Sequence, residues 1–168
     1  GISPEVITIM NIGATKEGDN DLKTAFQKED VLLDEFKAIL LNSYNRDFFQ
    51  KCVIVPIYKD GRCINLYGRK YDGSEHYKHL YLKKEGFKKL GIEPETTLFN
   101  WDHARRFKEV YIFESIIDCL TGLSNGLENS AAIYGTQGLR EEHLKQLKSS
   151  RIEKVWLVMD GDKAGRKA

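Results

Sequence analysis

Two short apolar runs, each stopping abruptly at acidic residues, constrain the fold of this chain more than any other feature. Val110-Tyr-Ile-Phe is followed at once by Glu114, and Val155-Trp-Leu-Val-Met is followed by Asp160. Runs of this length that are rich in β-branched and aromatic residues predict buried strands. Because parallel strands end at the same edge of a sheet, where α/β proteins bind ligands, the acids at the two strand ends are expected to face one crevice.

Two more acids belong to the same pattern. Asp118 follows Glu114 by four residues, which places it on the same face of the first helical turn if a helix begins there, and Asp162 follows Asp160 by two. Like charges so close together need a divalent cation between them or a raised pKa. The predicted Mg²⁺ or Mn²⁺ ligands are Glu114, Asp118, Asp160 and Asp162.

The segments around these strands alternate between helical and strand patterns. Helices are predicted over residues 101–107, 116–123 and 139–147, and strands over residues 130–134 and 154–159, with Asn100 as the cap of the first helix. Such β-α-β alternation predicts a parallel sheet with right-handed crossovers. The turn Gly135-Thr-Gln-Gly138 leaves two interpretations open, a tight strand-to-helix turn or a phosphate-binding loop.

The preceding part of the chain predicts a smaller antiparallel sheet. Strands over residues 53–58 and 63–67 flank Asp60-Gly61, a strong hairpin signal, and a third strand is expected over residues 77–82. Pro56 argues for an edge or bulged position. Further upstream, residues 6–10 resemble a short strand, and helices are expected over residues 22–26 and 28–40.

The middle of the chain is basic although the formal net charge of the whole is only +1. Residues 51–90 contain ten Lys and Arg against four Asp and Glu, with tyrosines interleaved. Cations that neutralise phosphates and rings that stack on bases suit single-stranded nucleic acid. The same alternation also describes an amphipathic sheet with one solvated face, and both interpretations stay open on composition alone.

Taken together, the acidic motifs resemble a known family. Glu114-Ser-Ile-Ile-Asp118, Tyr134-Gly-Thr-Gln-Gly-Leu139 and Asp160-Gly-Asp-Lys-Ala-Gly-Arg166 resemble the Toprim domain in the version found in bacterial DnaG-type DNA primases. Residues 47–57 and the Gly68-Arg69 pair resemble the subdomain that precedes Toprim in those primases. The resemblance implies an α/β fold with a Toprim-type parallel sheet flanked by helices at residues 101–168. A smaller α+β subdomain with an antiparallel sheet would occupy residues 1–100.

The resemblance also implies an activity, which is metal-dependent, template-directed synthesis of RNA primers on single-stranded DNA from nucleoside triphosphates. Glu114 would be a metal ligand or general base, Asp160 and Asp162 the main metal ligands, and Asp118 would complete or orient the set. Contacts with nucleic acid or nucleotide would come from Lys51, Arg69, Lys78, Lys83, Gly135 and Thr136. Lys51 replaces an arginine of the family, which keeps the charge and loses bidentate geometry, and Ser115 replaces a glycine.

Other functions remain to be weighed against primer synthesis. Another Toprim enzyme, such as a nuclease or topoisomerase, would not require the basic segment in front. A non-catalytic nucleic-acid-binding module of a replication or mobile-element protein would use metal only to hold its shape. A phosphatase or receiver domain is disfavoured because Lys163-Ala-Gly does not supply the residues expected after its strand-end aspartate.

The remaining features bear on location and context. Cys52, Cys63 and Cys119 show no C-x-x-C pairing, so neither a disulfide framework nor a zinc site is indicated, and a cytoplasmic location without a membrane span is expected. The chain is expected to be a fragment, because it lacks an initial Met and a helix has barely begun at Ala168. The resemblance implies a zinc-binding domain before it and a replicative helicase contacted by regions outside it. His103 and His143 are expected to be solvated.

Overall fold

The computed structural model describes residues 1–18, 24, 37, 39–41, 46–73, 78–134 and 138–161. Its elements in chain order are α1 (Pro4–Ile9), β1 (Gly13–Ala14), β2 (Cys52–Lys59), β3 (Arg62–Lys70), β4 (His79–Tyr81), α2 (Lys84–Lys89), α3 (Trp101–Ala104), β5 (Glu109–Phe113), α4 (Ile116–Ser124), β6 (Ser130–Ala132), α5 (Glu141–Lys148) and β7 (Lys154–Val158).

Contacts divide the chain into two units. The parallel-sheet unit contains residues 1–9, 57–63 and 96–168, and the antiparallel-sheet unit contains residues 10–56 and 64–95. The division of the sequence into domains at residue 100 stays a prediction.

The parallel-sheet unit is built on a three-stranded sheet in the order β6-β5-β7. Both pairs are parallel, and Ile112 of β5 lies opposite Ala131 on one side and Leu157 on the other. Val110 and Ile112 are fully buried, as the apolar run predicts for a central strand. The predicted parallel sheet with helices between its strands is thereby confirmed.

Helix α4 approaches this sheet very closely at Gly122. A Cβ atom added there would lie 2.9 Å from Phe113 Cζ and 3.0 Å from Ser130 Oγ. Both neighbours belong to the sheet, Phe113 to β5 and Ser130 to β6. The absence of a side chain at Gly122 therefore sets the distance between helix and sheet.

Strand β7 differs from its prediction, since its side chains are exposed rather than buried. Val155 is 40% and Leu157 56% exposed, because β7 lies at the edge of the sheet and the described residues cover neither of its faces. Trp156 is 41% exposed and its indole nitrogen donates a hydrogen bond to Glu109 Oε2 at 2.9 Å. Its ring stacks on Tyr111, and Lys154 Nζ lies 3.8 Å from the ring centroid.

The four-stranded antiparallel sheet has the order β1-β2-β3-β4. The predicted hairpin is confirmed, with Asp60 at φ 49° and Gly61 at φ 75° between β2 and β3, as a two-residue type I′ turn requires. The predicted third strand is found at β4. β1 pairs with Val53 and Ile54 and does not reach Pro56, which suits the edge position expected for proline.

One local prediction is wrong and another holds only in part. Residues 6–10 were expected to form a strand, but α1 begins at Pro4, and the Val6 amide donates to Ser3 Oγ at 3.3 Å. Ser3 and Pro4 are the cap and first-turn residues that favour a helix start, and they outweigh the β-branched composition. Asn100 occupies the predicted N-cap position of α3, but its side chain does not cap the helix; it has φ 57° and its side-chain amide donates to the Ser130 carbonyl at 2.9 Å.

The remaining predictions concern the upstream helices, the cysteines and a membrane span, and some of them fall outside the described residues. The helices predicted over residues 22–26 and 28–40 lie almost wholly outside the described residues. Cys52, Cys63 and Cys119 are free thiols, as predicted. Within the described ranges, no helix is both long enough and apolar enough to cross a membrane.

Candidate functional site

Glu114 and Asp160 meet at the carboxyl-terminal edge of the parallel sheet. Phe113 pairs with Val158 at the ends of β5 and β7, so the segments that follow these two strands leave the sheet side by side. The Glu114 carboxylate then accepts a hydrogen bond from the Asp160 backbone amide at 3.3 Å. The structure therefore brings together two acids that are 46 positions apart in sequence.

Asp118 lies in the first turn of α4, the helix that follows Glu114. Ser115 caps this helix, since its hydroxyl oxygen accepts from the Asp118 amide at 3.2 Å. The same hydroxyl donates to Asp118 Oδ2. Ser115 thus does two things that glycine could not do here: it satisfies a free helix amide and it fixes the rotamer of the Asp118 carboxylate.

The acidic edge suits a hard divalent cation in its donor chemistry. Mg²⁺ and Mn²⁺ prefer carboxylate oxygens, and Glu114 and Asp160 are at least partly open to solvent. Within the described part of the chain, no group of three His, Cys, Asp or Glu side chains is placed to hold a metal. Asp162, the fourth predicted ligand, lies outside the described residues. The assignment of the four acids as metal ligands stays a prediction.

The glycine-containing turn between β6 and α5 is described only at its borders. Gly135 and Thr136, the predicted phosphate contacts, lie outside the described residues. Gly138 has φ 60°, a left-handed conformation that glycine adopts without strain. On the other side, burial raises the pKa of Tyr134 to about 12, so its hydroxyl stays protonated near neutral pH.

His143 was expected to be solvated, and the structure corrects this because it is only 1% exposed. Its Nδ1 accepts a hydrogen bond from the Arg140 backbone amide at 3.2 Å, which closes the start of α5. Burial lowers the pKa of His143, and the positive charge of Arg140 lowers it further. The position of His143 three residues after the cap is the sequence signal that indicates this role.

In the antiparallel-sheet unit, Arg69 is held by a neighbouring histidine. Arg69 and His79 are paired across β3 and β4, and Arg69 Nη1 lies 2.7 Å from His79 Nε2. Because a guanidinium can only donate, Nε2 must accept and the imidazole is neutral. Nδ1 of His79 then carries the proton and donates to the Tyr67 hydroxyl at 2.9 Å. Burial, followed by the charges of Arg69 and Lys78, lowers the pKa of His79.

The other residues of this unit that were predicted to contact nucleic acid differ in whether they already have a partner within the protein. Lys51 Nζ lies 2.7 Å from Glu17 Oε2, and this hydrogen bond raises the pKa of Lys51. Lys83 Nζ lies 5.0 Å from the centroid of the Phe48 ring. Lys78 is exposed next to His79. The structure therefore places Lys78 and His79 beside Lys70 and Arg69 of β3, while Lys51 has an acidic partner that the sequence did not reveal.

Gly68, which precedes Arg69, is required by packing. A Cβ atom at this position would lie 2.5 Å from Phe49 Cδ1, and Phe49 is fully buried. Any larger residue would have to move either β3 or the Phe49 ring. The glycine of the Gly68-Arg69 pair therefore positions the backbone that carries Arg69.

Comparison with known proteins agrees with this arrangement. A Toprim-like family model matches residues 111–168. The DNA primase of Aquifex aeolicus is 30% identical over 182 aligned residues, which include all of this chain and 34% of that protein. The chain thus spans about a third or less of the length of such curated relatives.

Solved structures show the same fold. The crystal structure of the Aquifex aeolicus primase, with its zinc-binding and RNA polymerase domains, is 26% identical with a TM-score of 0.82, and the match covers 99% of this chain and 42% of that one. A DnaG primase catalytic domain bound to single-stranded DNA is 23% identical with a TM-score of 0.76, over 100% of this chain and 53% of that one. The second likeness supports the fold alone.

Proposed function

Because this chain matches the core of DnaG-type DNA primases over its whole length and carries their Toprim-like domain, we propose that it is the part of a primase that joins ribonucleotides on a single-stranded DNA template. The observation that carries the proposal is the meeting of Glu114 and Asp160 at the carboxyl-terminal edge of the parallel sheet. Phosphoryl transfer needs little covalent chemistry from a protein, and acids that follow two neighbouring strands at one edge can supply ligands for the metal ions that it does need.

The proposed roles of the acids follow from their positions. Glu114 and Asp160, with Asp162, would hold Mg²⁺ or Mn²⁺, and Ser115 would keep the Asp118 carboxylate turned in one direction. When bound, the metal would lower the pKa of an attacking hydroxyl and neutralise charge on the leaving pyrophosphate. Glu114 is also placed to accept a proton at Oε1, since it is Oε2 that accepts the Asp160 amide among the residues that the structure describes.

The template would be bound by the antiparallel-sheet unit. Arg69, Lys78 and Lys83 offer the cations for the DNA backbone, whereas Lys51 would first have to leave Glu17. Gly135 and Thr136 would contact the nucleotide phosphates. The likeness of the whole chain to DNA primases supports this choice of partner. We also infer a cytoplasmic location, where the three free thiols stay reduced, and a helicase partner contacted outside this chain.

Neutralising the two acids that meet tests the proposal. Template-directed primer synthesis by the longer protein that contains this chain should fall at least about a hundredfold in Glu114→Gln/Asp160→Asn. The amide and carbonyl geometry is kept in this variant, because a glutamine oxygen can still accept from the residue-160 amide. Glu128→Gln, which removes an exposed carboxylate in the turn before β6, is the matched control and should retain activity. Unchanged primer synthesis by the double variant would refute the assignment.

Metal binding gives a second readout that does not depend on activity. Addition of Mn²⁺ to the isotope-labelled chain should broaden the amide signals of Glu114 and Asp160 before those of other residues. The double variant should lose this selective broadening and the Glu128→Gln control should keep it. Equal broadening in the double variant would place the metal elsewhere.

A further inference from the structure

A cleft opens at the amino-terminal end of the parallel sheet, at the opposite end from Glu114 and Asp160. It has a volume of about 360 Å³ and is lined by Trp101, Arg105, Arg106, Gln146 and Arg151, with the two serines that follow α5. We call it the arginine cleft. Its arginines precede β5 and β7, whereas the acids follow those strands. Since β5 has five residues, the two sites are separated by roughly 16 Å along the strand.

The arginine cleft carries positive charge that the described structure does not neutralise. Its lining contains three arginines and no acidic residue. Arg105 has acidic partners, with its Nη2 atom 3.1 Å from Asp60 and 3.7 Å from Asp102. For Arg106 and Arg151, by contrast, no ion pair or side-chain hydrogen bond is found among the residues that the structure describes. Two guanidinium groups are therefore available to a ligand.

These guanidinium groups are not needed as helix caps, which is the obvious structural role for arginines at this place. α3 and α5 both end beside the cleft, and several of their carbonyls accept hydrogen bonds from the residues that follow each helix. The Trp101 carbonyl accepts from the Arg105 amide, the Lys145 carbonyl from the Ser149 amide, and the Leu147 carbonyl from the Ser150 hydroxyl at 2.7 Å. Within the described part of the chain, neither Arg106 nor Arg151 donates a side-chain hydrogen bond to a helix carbonyl, so neither acts as a helix cap.

We propose that the arginine cleft binds a phosphate group, supplied either by the backbone of a nucleic acid strand or by a free nucleotide. A guanidinium presents its donors in a planar fork that matches two phosphate oxygens, and two such forks at one cleft suit a phosphate better than a point charge would. The cleft volume lies within the range of small-ligand sites. The choice of these two sources rests on the proposed function, but the site itself rests on the charges and the cleft.

The first experiment observes the arginines directly. The side-chain Nε–H signals of Arg106 and Arg151 in the isotope-labelled chain should shift on addition of pyrophosphate, while the Arg69 signal reports separately on the proposed template contact. Nucleoside triphosphate and a short single-stranded DNA are added in separate arms, without divalent metal, so that no nucleotide is joined. Signals of Arg106 and Arg151 that stay still in all three arms would overturn the proposal.

The second experiment identifies the source of the phosphate. Arg106→Gln/Arg151→Gln is compared with Lys108→Gln/Lys145→Gln, which removes the same charge from two exposed lysines that pair with Glu153 and Glu141 and do not line the cleft. For a strand in the cleft, the slope of log affinity for single-stranded DNA against log salt should fall in magnitude by about 1.4 in the arginine variant, corresponding to two lost phosphate contacts. The lysine variant should keep the slope of the original chain.

The outcomes separate the proposal from the primase assignment. A reduced slope in the arginine variant alone assigns the phosphate to a strand. Equal slopes, with arginine signals that shift only for triphosphate or pyrophosphate, assign it to a free nucleotide. Equal slopes and immobile signals reject the cleft, even if Glu114→Gln/Asp160→Asn abolishes primer synthesis. Binding that survives in that acid variant supports the cleft independently of the polymerase chemistry.

Discussion

At the scale of single residues, His79 has a task that depends on its being uncharged. It accepts from Arg69 at 2.7 Å and donates to the Tyr67 hydroxyl at 2.9 Å, so it connects a buried tyrosine to an arginine at the surface. Without this acceptor the guanidinium would be free to rotate. His79 is therefore a positioning residue for Arg69 in the proposed template contact.

Replacement of His79 by an uncharged residue tests this role, because the net charge of the sheet stays the same when His79 is neutral. His79→Phe keeps a ring but cannot accept, and we expect it to weaken single-stranded DNA binding about tenfold, in line with a lost hydrogen bond to a charged group of about 1.5 kcal/mol. His79→Gln provides an acceptor and should bind within about twofold of the original chain. Fluorescence anisotropy with a labelled oligonucleotide measures both. Equal affinities of the two variants would show that Arg69 needs no acceptor.

Whether the partner of a residue could be predicted from the sequence depends on whether a general rule of the fold or a particular strand register brings the two together. Glu114 and Asp160 could be brought together from the sequence because the rule that parallel strands end at one edge needs no knowledge of side-chain contacts. The pairing of Arg69 with His79 depends on strand register, and that of Lys51 with Glu17 on a chain reversal. Local periodicity reveals neither pairing. The sequence therefore indicated the basic residues but not the side chains that hold them in place.

At the scale of elements, the close approach of α4 to the sheet should make Gly122 intolerant of even one added carbon. Gly122→Ala would place a methyl group against Phe113 and Ser130. Ser130 is buried and its hydroxyl donates to the Leu127 carbonyl, so it cannot move away freely. Overpacking costs about 1–3 kcal/mol, and the higher helix propensity of alanine returns up to about 1. The expected net loss in unfolding free energy is about 1–2 kcal/mol.

Urea unfolding followed by circular dichroism measures this loss. Gly13→Ala is the matched control, since a Cβ atom at that position has nothing within 4 Å. It should change stability by less than about 0.5 kcal/mol. A Gly122→Ala variant as stable as the control would mean that α4 can shift on the sheet.

Elements with a clear period were predicted within a few residues, whereas α1, which depends on the residues at its start, was not. α4, β5 and β7 follow their apolar patterns, whereas α1 is decided by Ser3 and Pro4 against a β-branched composition. The burial of β7 was mispredicted because hydrophobicity indicates what a strand would bury, not which neighbours cover it.

At the scale of the whole molecule, two histidines make stability depend on pH in a defined direction. Both His79 and His143 have a pKa below the ordinary 6.5 in the folded chain. His79 faces Arg69 and Lys78, and His143 faces Arg140 and Glu142. Because the unfolded chain takes up these protons first, the unfolding free energy should decrease as pH falls below about 6.5 and should be level above about 7.5.

Urea midpoints between pH 8 and pH 5.5 check this expectation, a range that stops before most carboxylates protonate. His79→Gln/His143→Gln should flatten the decrease. A decrease that persists unchanged in the double variant would assign the pH dependence to other groups.

The two tryptophans of this chain have contrasting surroundings, so their fluorescence should differ in emission wavelength and in accessibility to a quencher. Trp101 is 4% exposed beside the arginine cleft, while Trp156 is 41% exposed between Tyr111 and Lys154. Iodide should therefore quench the emission of Trp156 first and leave a bluer component from Trp101. In a Trp156→Phe background, the remaining emission would be an intrinsic dye for occupancy of the cleft, with no label attached.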